Sequence, residues 1–360
     1  MATEEEGRRP ALLYTLASNG MAHATRAVPM LERLEKSFEV HVFCGGPAYR
    51  WLRTKFRHVH WIRRFKAVYL GDHVSIPLVF ANAIVTLPLS FLSMAKIGWY
   101  VLRTRPSALI SDFEALGAYT ALFLRPFVKT RIVAFDNFCA ARVAEAPFTP
   151  DAWEAKQLAR WRWTLRAVVP FADTFLVQSV VTPPLTNERA RYVPPPIRDV
   201  FLRYEGERRT DGPIVVCLGG TRGFDWLPDV LRESGLAFHV YGFSDAKEEG
   251  RVSYRLFEDA AYMDSLANAP FSIVRGISSA FDALALGKPV LVAPADGQFE
   301  HWYNGRLFES LGVGRLVPSL TAEAIQQFSR DLDGYRRRVE DVTLFDNEKV
   351  FGELERAVTA

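Results

Sequence analysis

With 360 residues, 49% of them hydrophobic and 24% charged, the chain has a globular composition and the length for two domains with separate cores. A net charge of only +3 excludes a whole-molecule electrostatic case for nucleic-acid binding. Its three cysteines, Cys44, Cys139 and Cys217, stand far apart in apolar contexts, which excludes a zinc-type spacing or a disulfide framework and fits a reducing compartment.

The polar, acidic start MATEEEGRRP is unlike a signal peptide and sets the expectation of a cytoplasmic protein. ALLYTLA (Ala11–Ala17) reads as a buried strand, followed by a glycine-containing turn and a helix from about Thr25 to Lys36. FEVHVFC (Phe38–Cys44) is the next strand. Arg50 to Lys66 then carries seven Lys/Arg and no acid, interleaved with Trp51, Phe56, Trp61 and Phe65. That pattern suits an anionic membrane surface, and equally a solvated basic face. Val74 to Ala95 lacks charge and is about long enough to cross a bilayer. Pro77, Pro88, Asn82, Thr86, Ser90 and Ser93 interrupt it, so two broken helices, buried or membrane-facing, are expected instead. Arg50–Leu102 is therefore the region expected to meet a membrane, at its inner face.

SALISD (Ser107–Asp112), RIVAFDN (Arg131–Asn137) and TFLVQS (Thr174–Ser179) are further strands, with helices near Leu116–Leu124 and Asp151–Val169. Apolar runs of this length between helices indicate a parallel sheet covered on both faces. YVPPPI (Tyr192–Ile197) breaks the pattern, because consecutive prolines enter neither a helix nor a central strand, and RYEGERRTDG (Arg203–Gly212) completes a linker. The alternation then restarts with PIVVCLGG, AFHVYGF, FSIVRG and PVLVAP, separated by helices near Trp226–Glu233, Asp259–Asn268 and Ser279–Leu286. The chain is read as two Rossmann-like, doubly wound α/β domains, residues 1–200 and 201–345, facing a central cleft where strand ends gather ligands.

Chemistry concentrates in the turns at those strand ends. In SNGMAHATR (Ser18–Arg26), Gly20 permits a tight turn, and His23 sits where the following helix offers unpaired N–H groups. The full G-x-G-x-x-G spacing is missing, which argues against ordinary dinucleotide binding. SDFEALG (Ser111–Gly117) places Asp112 and Glu114 near the same edge. A carboxylate accepting an imidazole N–H would orient His23 as a general base, although Asp112 could equally cap the next helix. LGGTRG (Leu218–Gly223) brings Gly219, Gly220, Thr221 and Arg222 to a turn suited to a diphosphate, or to a plain strand-to-helix connection. Gly276, Ser278 and Ser279 precede a helix and form a second candidate anion site, with Asp282 one turn on, placed for ribose hydroxyls. Gln298, Glu300 and His301 in ADGQFEHWYN make a polar cluster suited to sugar hydroxyls, or a hydrophilic loop with a helix cap. Asp331–Leu332–Asp333 lies in a charged C-terminal helix and reads as surface, so no metal site is expected.

Taken in order, SDFEALG, LGKPVL, GQFE and the later Asn304 resemble GT-B glycosyltransferases of the prokaryotic SDFEPL/LGKPVL/GQFEQ-motif family. More distantly, the chain is similar to the lipid-linked N-acetylglucosaminyltransferases of peptidoglycan assembly. The resemblance covers most of the chain and is weakest over Phe56–Tyr100. It implies a GT-B fold with an N-terminal acceptor domain, a C-terminal donor domain and a last helix, residues 346–360, crossing back onto the first domain. It also implies metal-free inverting transfer from a UDP-linked sugar, with no cofactor beyond that donor substrate. By motif, His23 becomes the base, Asp282 stands where relatives carry a ribose-binding Glu, and Gln298 and Glu300 face the donor sugar. Asn19, Gly20 and Glu114 fall on the acceptor side. SNGMAH is less glycine-rich than its counterparts, and Arg275 and Ile277 replace a Gly-Gly pair and an aromatic, so Arg275 is expected near the phosphates. Two other functions share this fold: a nucleotide-sugar epimerase, and a catalytically degenerate binding protein. The expected partners are a nucleotide sugar and a small-molecule, glycan or lipid acceptor.

Overall fold

The computed structural model describes residues 9–18, 21–63, 69–70, 73–74, 76–219, 224–243, 245–342 and 344–359. The first half runs β1 (Ala11–Leu16), α1 (Ala22–Leu34), β2 (Glu39–Cys44), α2 (Gly46–Leu52), β3 (Val59–Trp61), β4 (Tyr69–Leu70), β5 (His73–Val74), α3 (Ile76–Val85) and α4 (Leu87–Thr104). It continues through β6 (Ala108–Asp112), α5 (Ala115–Leu124), β7 (Arg131–Asp136), α6 (Ala140–Val143), α7 (Ala152–Val168), β8 (Thr174–Gln178) and β9 (Ala190–Val193). After α8 (Asp199–Leu202) come β10 (Ile214–Cys217), α9 (Leu227–Ser234), β11 (Phe238–Tyr241), β12 (Lys247–Glu249), β13 (Val252–Arg255), α10 (Asp259–Asn268), β14 (Ser272–Val274) and α11 (Ile277–Ala285). The chain ends with β15 (Val290–Val292), α12 (Phe299–Leu311), β16 (Gly314–Leu316), α13 (Ala322–Arg330), α14 (Leu332–Asp341) and α15 (Asn347–Thr359).

Seven strands form a parallel sheet in the order β3-β2-β1-β6-β7-β8-β9. Seven more form the second sheet, β12-β13-β11-β10-β14-β15-β16, parallel except for the edge hairpin β12–β13. Their central strands are apolar runs buried on both faces, as crossover helices on either side require. Each sheet has one switch point: the chain leaves β1 for β2 and returns to pair β6 on its other side, and β10 stands likewise between β11 and β14. Ligand crevices open at such points.

Several expected boundaries move. β9 takes in Tyr192 and Val193, so the break begins at Pro194. This short edge strand and the β12–β13 hairpin lack the long apolar runs that reveal central strands. α1 starts at Ala22 instead of Thr25. The uncharged stretch forms α3 and α4, with Pro88 in the first turn of α4, and no helix among the described residues is long and apolar enough to cross a membrane.

The two halves share a core. Phe138, Ala141, Leu158 and Leu165 of the first pack in one cluster with Tyr241, Val274, Phe281 and Tyr303 of the second. Val350, Phe351, Leu354 and Val358 of α15 join the core of the first sheet beside α1, and Arg33 Nε meets Glu355 Oε1 at 3.1 Å. Asn347 clamps the linker, accepting from the Ile197 amide at 3.1 Å and donating to the Ile197 carbonyl at 2.8 Å.

Candidate active site

β1 and β6 run side by side with Leu16 opposite Asp112, so the chain leaving β1 reaches the end of β6. His23 lies in the first turn of α1, and its Nδ1 stands 2.7 Å from Asp112 Oδ1. An ionised carboxylate only accepts, so Nδ1 carries the proton and Nε2 keeps its lone pair. Asp112 is 2% exposed, which preserves the strength of this charge-assisted bond. The helix-capping role open to Asp112 falls instead to Glu114, whose side chain accepts from the Gly117 amide at 2.7 Å. Burial pushes the Glu114 carboxyl up to about 7.

Beneath this pair lies a network that the sequence reading missed. Arg26, one turn after His23, is buried and donates to Asn137 Oδ1 at 3.3 Å and Gln178 Oε1 at 3.5 Å. Its Nη2 is 3.5 Å from His23 Nδ1, a contact between two donors and therefore electrostatic. Asp136 accepts from the Cys139 amide at 2.7 Å, and burial raises its carboxyl to about 6. Polar residues ending RIVAFDN at the same sheet edge were the available signal. An aromatic wall completes this side. Phe113 and Phe138 rings lie 6.4 and 5.8 Å from the His23 ring, and Trp161 is 6.0 Å from Phe138. Phe113 occupies the left-handed region at φ 54°, a conformation that costs about 1–3 kcal/mol and that surrounding structure must enforce.

The second domain faces it. Gly219, at φ 77°, follows β10. Gly220, Thr221 and Arg222 lie outside the described residues, as do Asn19 and Gly20. α9 begins at Leu227, with Pro228 in its first turn. At α11, Gly276 is the N-cap, which puts Ser278 and Ser279 inside the first turn instead of ahead of it. Ser279 Oγ donates to the Gly276 carbonyl at 3.1 Å. Ser278 Oγ is buried with no hydrogen-bond partner among the described residues, and no acidic residue occupies that first turn. An orphan hydroxyl at an uncompensated helix start favours an anion.

Asp282 approaches Arg198 Nη2 at 3.8 Å. Burial lifts its carboxyl to about 7, against the pull of Arg198 and, from the other domain, Arg26. Glu300 is likewise raised to about 7 by burial, opposed by the charges of His23 and Arg26. Glu300 thus feels the charges of His23 and Arg26, and Asp282 that of Arg26, from the first domain. Gln298 is the N-cap of α12, and His301 Nδ1 accepts from the Ala295 amide at 3.3 Å. Burial and then Arg275 hold the His301 imidazole down at about 4. Arg275 lies over the Phe224 ring at 4.4 Å, beside a cavity of about 250 Å³ lined by Trp226, Asp296 and Pro318. Asp331 and Asp333 are exposed where α13 meets α14.

α12 is fastened to the first domain by one carboxylate. Glu154, buried in the first turn of α7, accepts the Trp302 indole N–H at 2.8 Å and meets Arg306 Nε at 3.0 Å. Its other oxygen accepts from the Asp151 amide at 2.9 Å, closing a capping box.

Solved structures share the fold. The glycosyltransferase VinC in complex with dTDP matches with a TM-score of 0.63 at 16% identity, over 97% of this chain and 99% of that one. Phytolacca americana UGT2, complexed with UDP-2fluoro-glucose and pterostilbene, matches with a TM-score of 0.66 at 14% identity, over 98% and 99%. The calicheamicin glycosyltransferase CalG4 gives a TM-score of 0.63 at 14% identity, over 98% of each chain. No curated protein matches the sequence. The GT-B fold follows from these likenesses, and the model of glycosyl transferase family 1 matches residues 11–333. The chain therefore belongs to glycosyl transferase family 1 and is a glycosyltransferase.

Proposed function

We propose that the chain moves a sugar from a nucleoside diphosphate, UDP by motif, to a hydroxyl of an amphipathic or lipid-like acceptor, in one inverting displacement without a metal ion. The observation that carries this reading is the 2.7 Å His23–Asp112 pair at the switch point of the first sheet. His23 Nε2 takes the acceptor proton as the acceptor oxygen bonds to the anomeric carbon. The bond from that carbon to the diphosphate breaks, and the nucleoside diphosphate leaves with the electron pair. A single displacement inverts the anomeric centre. Asp112 stabilises the imidazolium that forms.

In this proposal residues Gly219–Arg222 and the start of α11, with Ser278 and Ser279, receive the diphosphate, so amides do the work of a metal. Asp282 binds ribose hydroxyls; Gln298, Glu300 and His301 read the sugar. Phe113, Phe138 and Trp161 seat the apolar part of the acceptor, and Asn19 and Gly20 are assigned to the acceptor side by motif. Glu114 acts on the acceptor side through the α5 cap that it forms. The kinship to the SDFEPL-motif family and to peptidoglycan N-acetylglucosaminyltransferases belongs to this reading, as does a cytoplasmic enzyme resting peripherally on a membrane through residues 50–102.

The test is mass spectrometry after incubation with a panel of nucleotide sugars and a cell extract. Transfer from one donor, lost in His23→Ala, is the expected result. Nucleotide binding with no product under any condition would overturn the reading.

A further inference from the structure

α4 is apolar on the side that faces solvent. Ser93, Ile97 and Val101 are buried against the first sheet, as a surface helix requires. The opposite stripe, where such a helix carries polar residues, reads Pro88, Phe91, Leu92, Ala95, Trp99 and Leu102. Phe91 and Leu92 are 62% and 65% exposed. Ile84 and Val85, 70% and 78% exposed at the end of α3, extend the stripe. Gly98 lets α4 sit close to Thr120 and Leu124 of α5, and exposed Phe123 and Phe127 continue the apolar surface there. Tyr119 of α5 donates to the Ala167 carbonyl of α7, the helix that carries exposed Trp163. This face lies opposite the one covered by α1 and α15. It is too broad for the scattered apolar exposure of an ordinary surface.

Charge identifies the occupant. α4 carries Lys96 and Arg103 and no acid, and Arg105 follows it. Arg103 lies over the Trp99 ring at 4.9 Å, and Lys96 Nζ donates to the Trp61 carbonyl at 3.1 Å. Arg160 and Arg166 add exposed charge on α7. A second copy would bring the same basic surface against itself, and like charges oppose that pairing. Basic heads beside apolar bodies match anionic headgroups above acyl chains.

We propose that α4, with the end of α3 and the exposed residues of α5 and α7, docks on an anionic lipid bilayer and lies in the plane of its interface. This deepens the peripheral placement by naming the docking element and the lipid charge. α4 ends just before β6 begins, so its Leu87–Leu92 end lies toward the sheet edge that holds His23 and Asp112. An acceptor anchored in the bilayer would meet the cleft there.

The experiment is flotation of the full chain with phosphatidylcholine vesicles, with and without phosphatidylglycerol, at low and high salt. Expected are binding to the anionic vesicles, release by salt, and loss of binding in the Phe91→Ser, Leu92→Ser, Trp99→Ser triple variant at an unchanged melting temperature. Lys96→Gln with Arg103→Gln, both at exposed positions, lowers partitioning about thirty-fold at low salt and serves if the triple variant fails to fold. Absence of binding to any vesicle at low salt would overturn the proposal. So would binding that survives both sets of substitutions, or a dimer that the triple variant dissolves, which assigns the face to a second copy. No substrate enters these measurements, so the outcome is separate from whether sugar transfer is found.

Discussion

Replacing Asp112 by Asn keeps the shape of the side chain and removes its charge. At 2.7 Å and an effective dielectric constant of about 20, an imidazolium and a carboxylate attract by about 6 kcal/mol. The amide dipole of Asn recovers part of this, about half, and leaves a deficit of about 3 kcal/mol in the state where His23 holds the acceptor proton. The resulting fall in kcat is about two orders of magnitude, within the range general-base catalysis supplies. The amide can also turn its NH2 toward Nδ1, which would force the proton onto Nε2 and deepen the loss. Steady-state transfer kinetics read kcat, and calorimetry reads nucleotide affinity, which stays near wild type because the proposed nucleotide contacts lie in the second domain. A kcat within about threefold of wild type would refute the role of the pair.

The same geometry sets three further outcomes. Glu300→Gln removes a carboxyl that burial raises to about 7. Between its ordinary value and about 7 the native state binds the extra proton, so wild-type stability falls as pH rises through that window. The Gln variant therefore melts higher than wild type at pH 8, by about 2 kcal/mol, matches it near pH 4, and transfers sugar more slowly; equal shifts at both pH values in thermal scans would contradict this. Glu154→Ala leaves Trp302 and Arg306 without their buried carboxylate and costs about 3 kcal/mol in chemical denaturation, whereas Trp302→Phe, which keeps the ring, costs about 1 kcal/mol. Gly117→Ala would place a Cβ 2.5 Å from Thr15 Cγ2 at the β1–β6 switch point. It should destabilise the fold by about 2 kcal/mol or more in the same assay, and Thr15→Ser in the same chain should recover part of the loss.

The alternation of buried apolar runs with helices, and the prolines at 194–196, announce two doubly wound sheets from sequence alone, because central parallel strands must be apolar on both faces. His23, Asp112 and the turns near Gly219 and Gly276 were legible for the same reason: their strands end where such folds bind ligands. Which residue of SDFEALG would cap α5 and which would meet His23 was not legible, since Asp112 and Glu114 are both acids near one helix start. Only the register of β1 against β6, Leu16 beside Asp112, decided it. Arg26, Asn137 and Gln178 come from three separate segments, and their network exists only once β7 and β8 align beside β6. The bond from Glu154 to Trp302 spans 148 residues, and no local pattern encodes a contact between the domains. Periodicity reports what each segment buries. Which polar atoms then meet across strands and domains is fixed by tertiary packing, because buried groups must find partners wherever the fold places them.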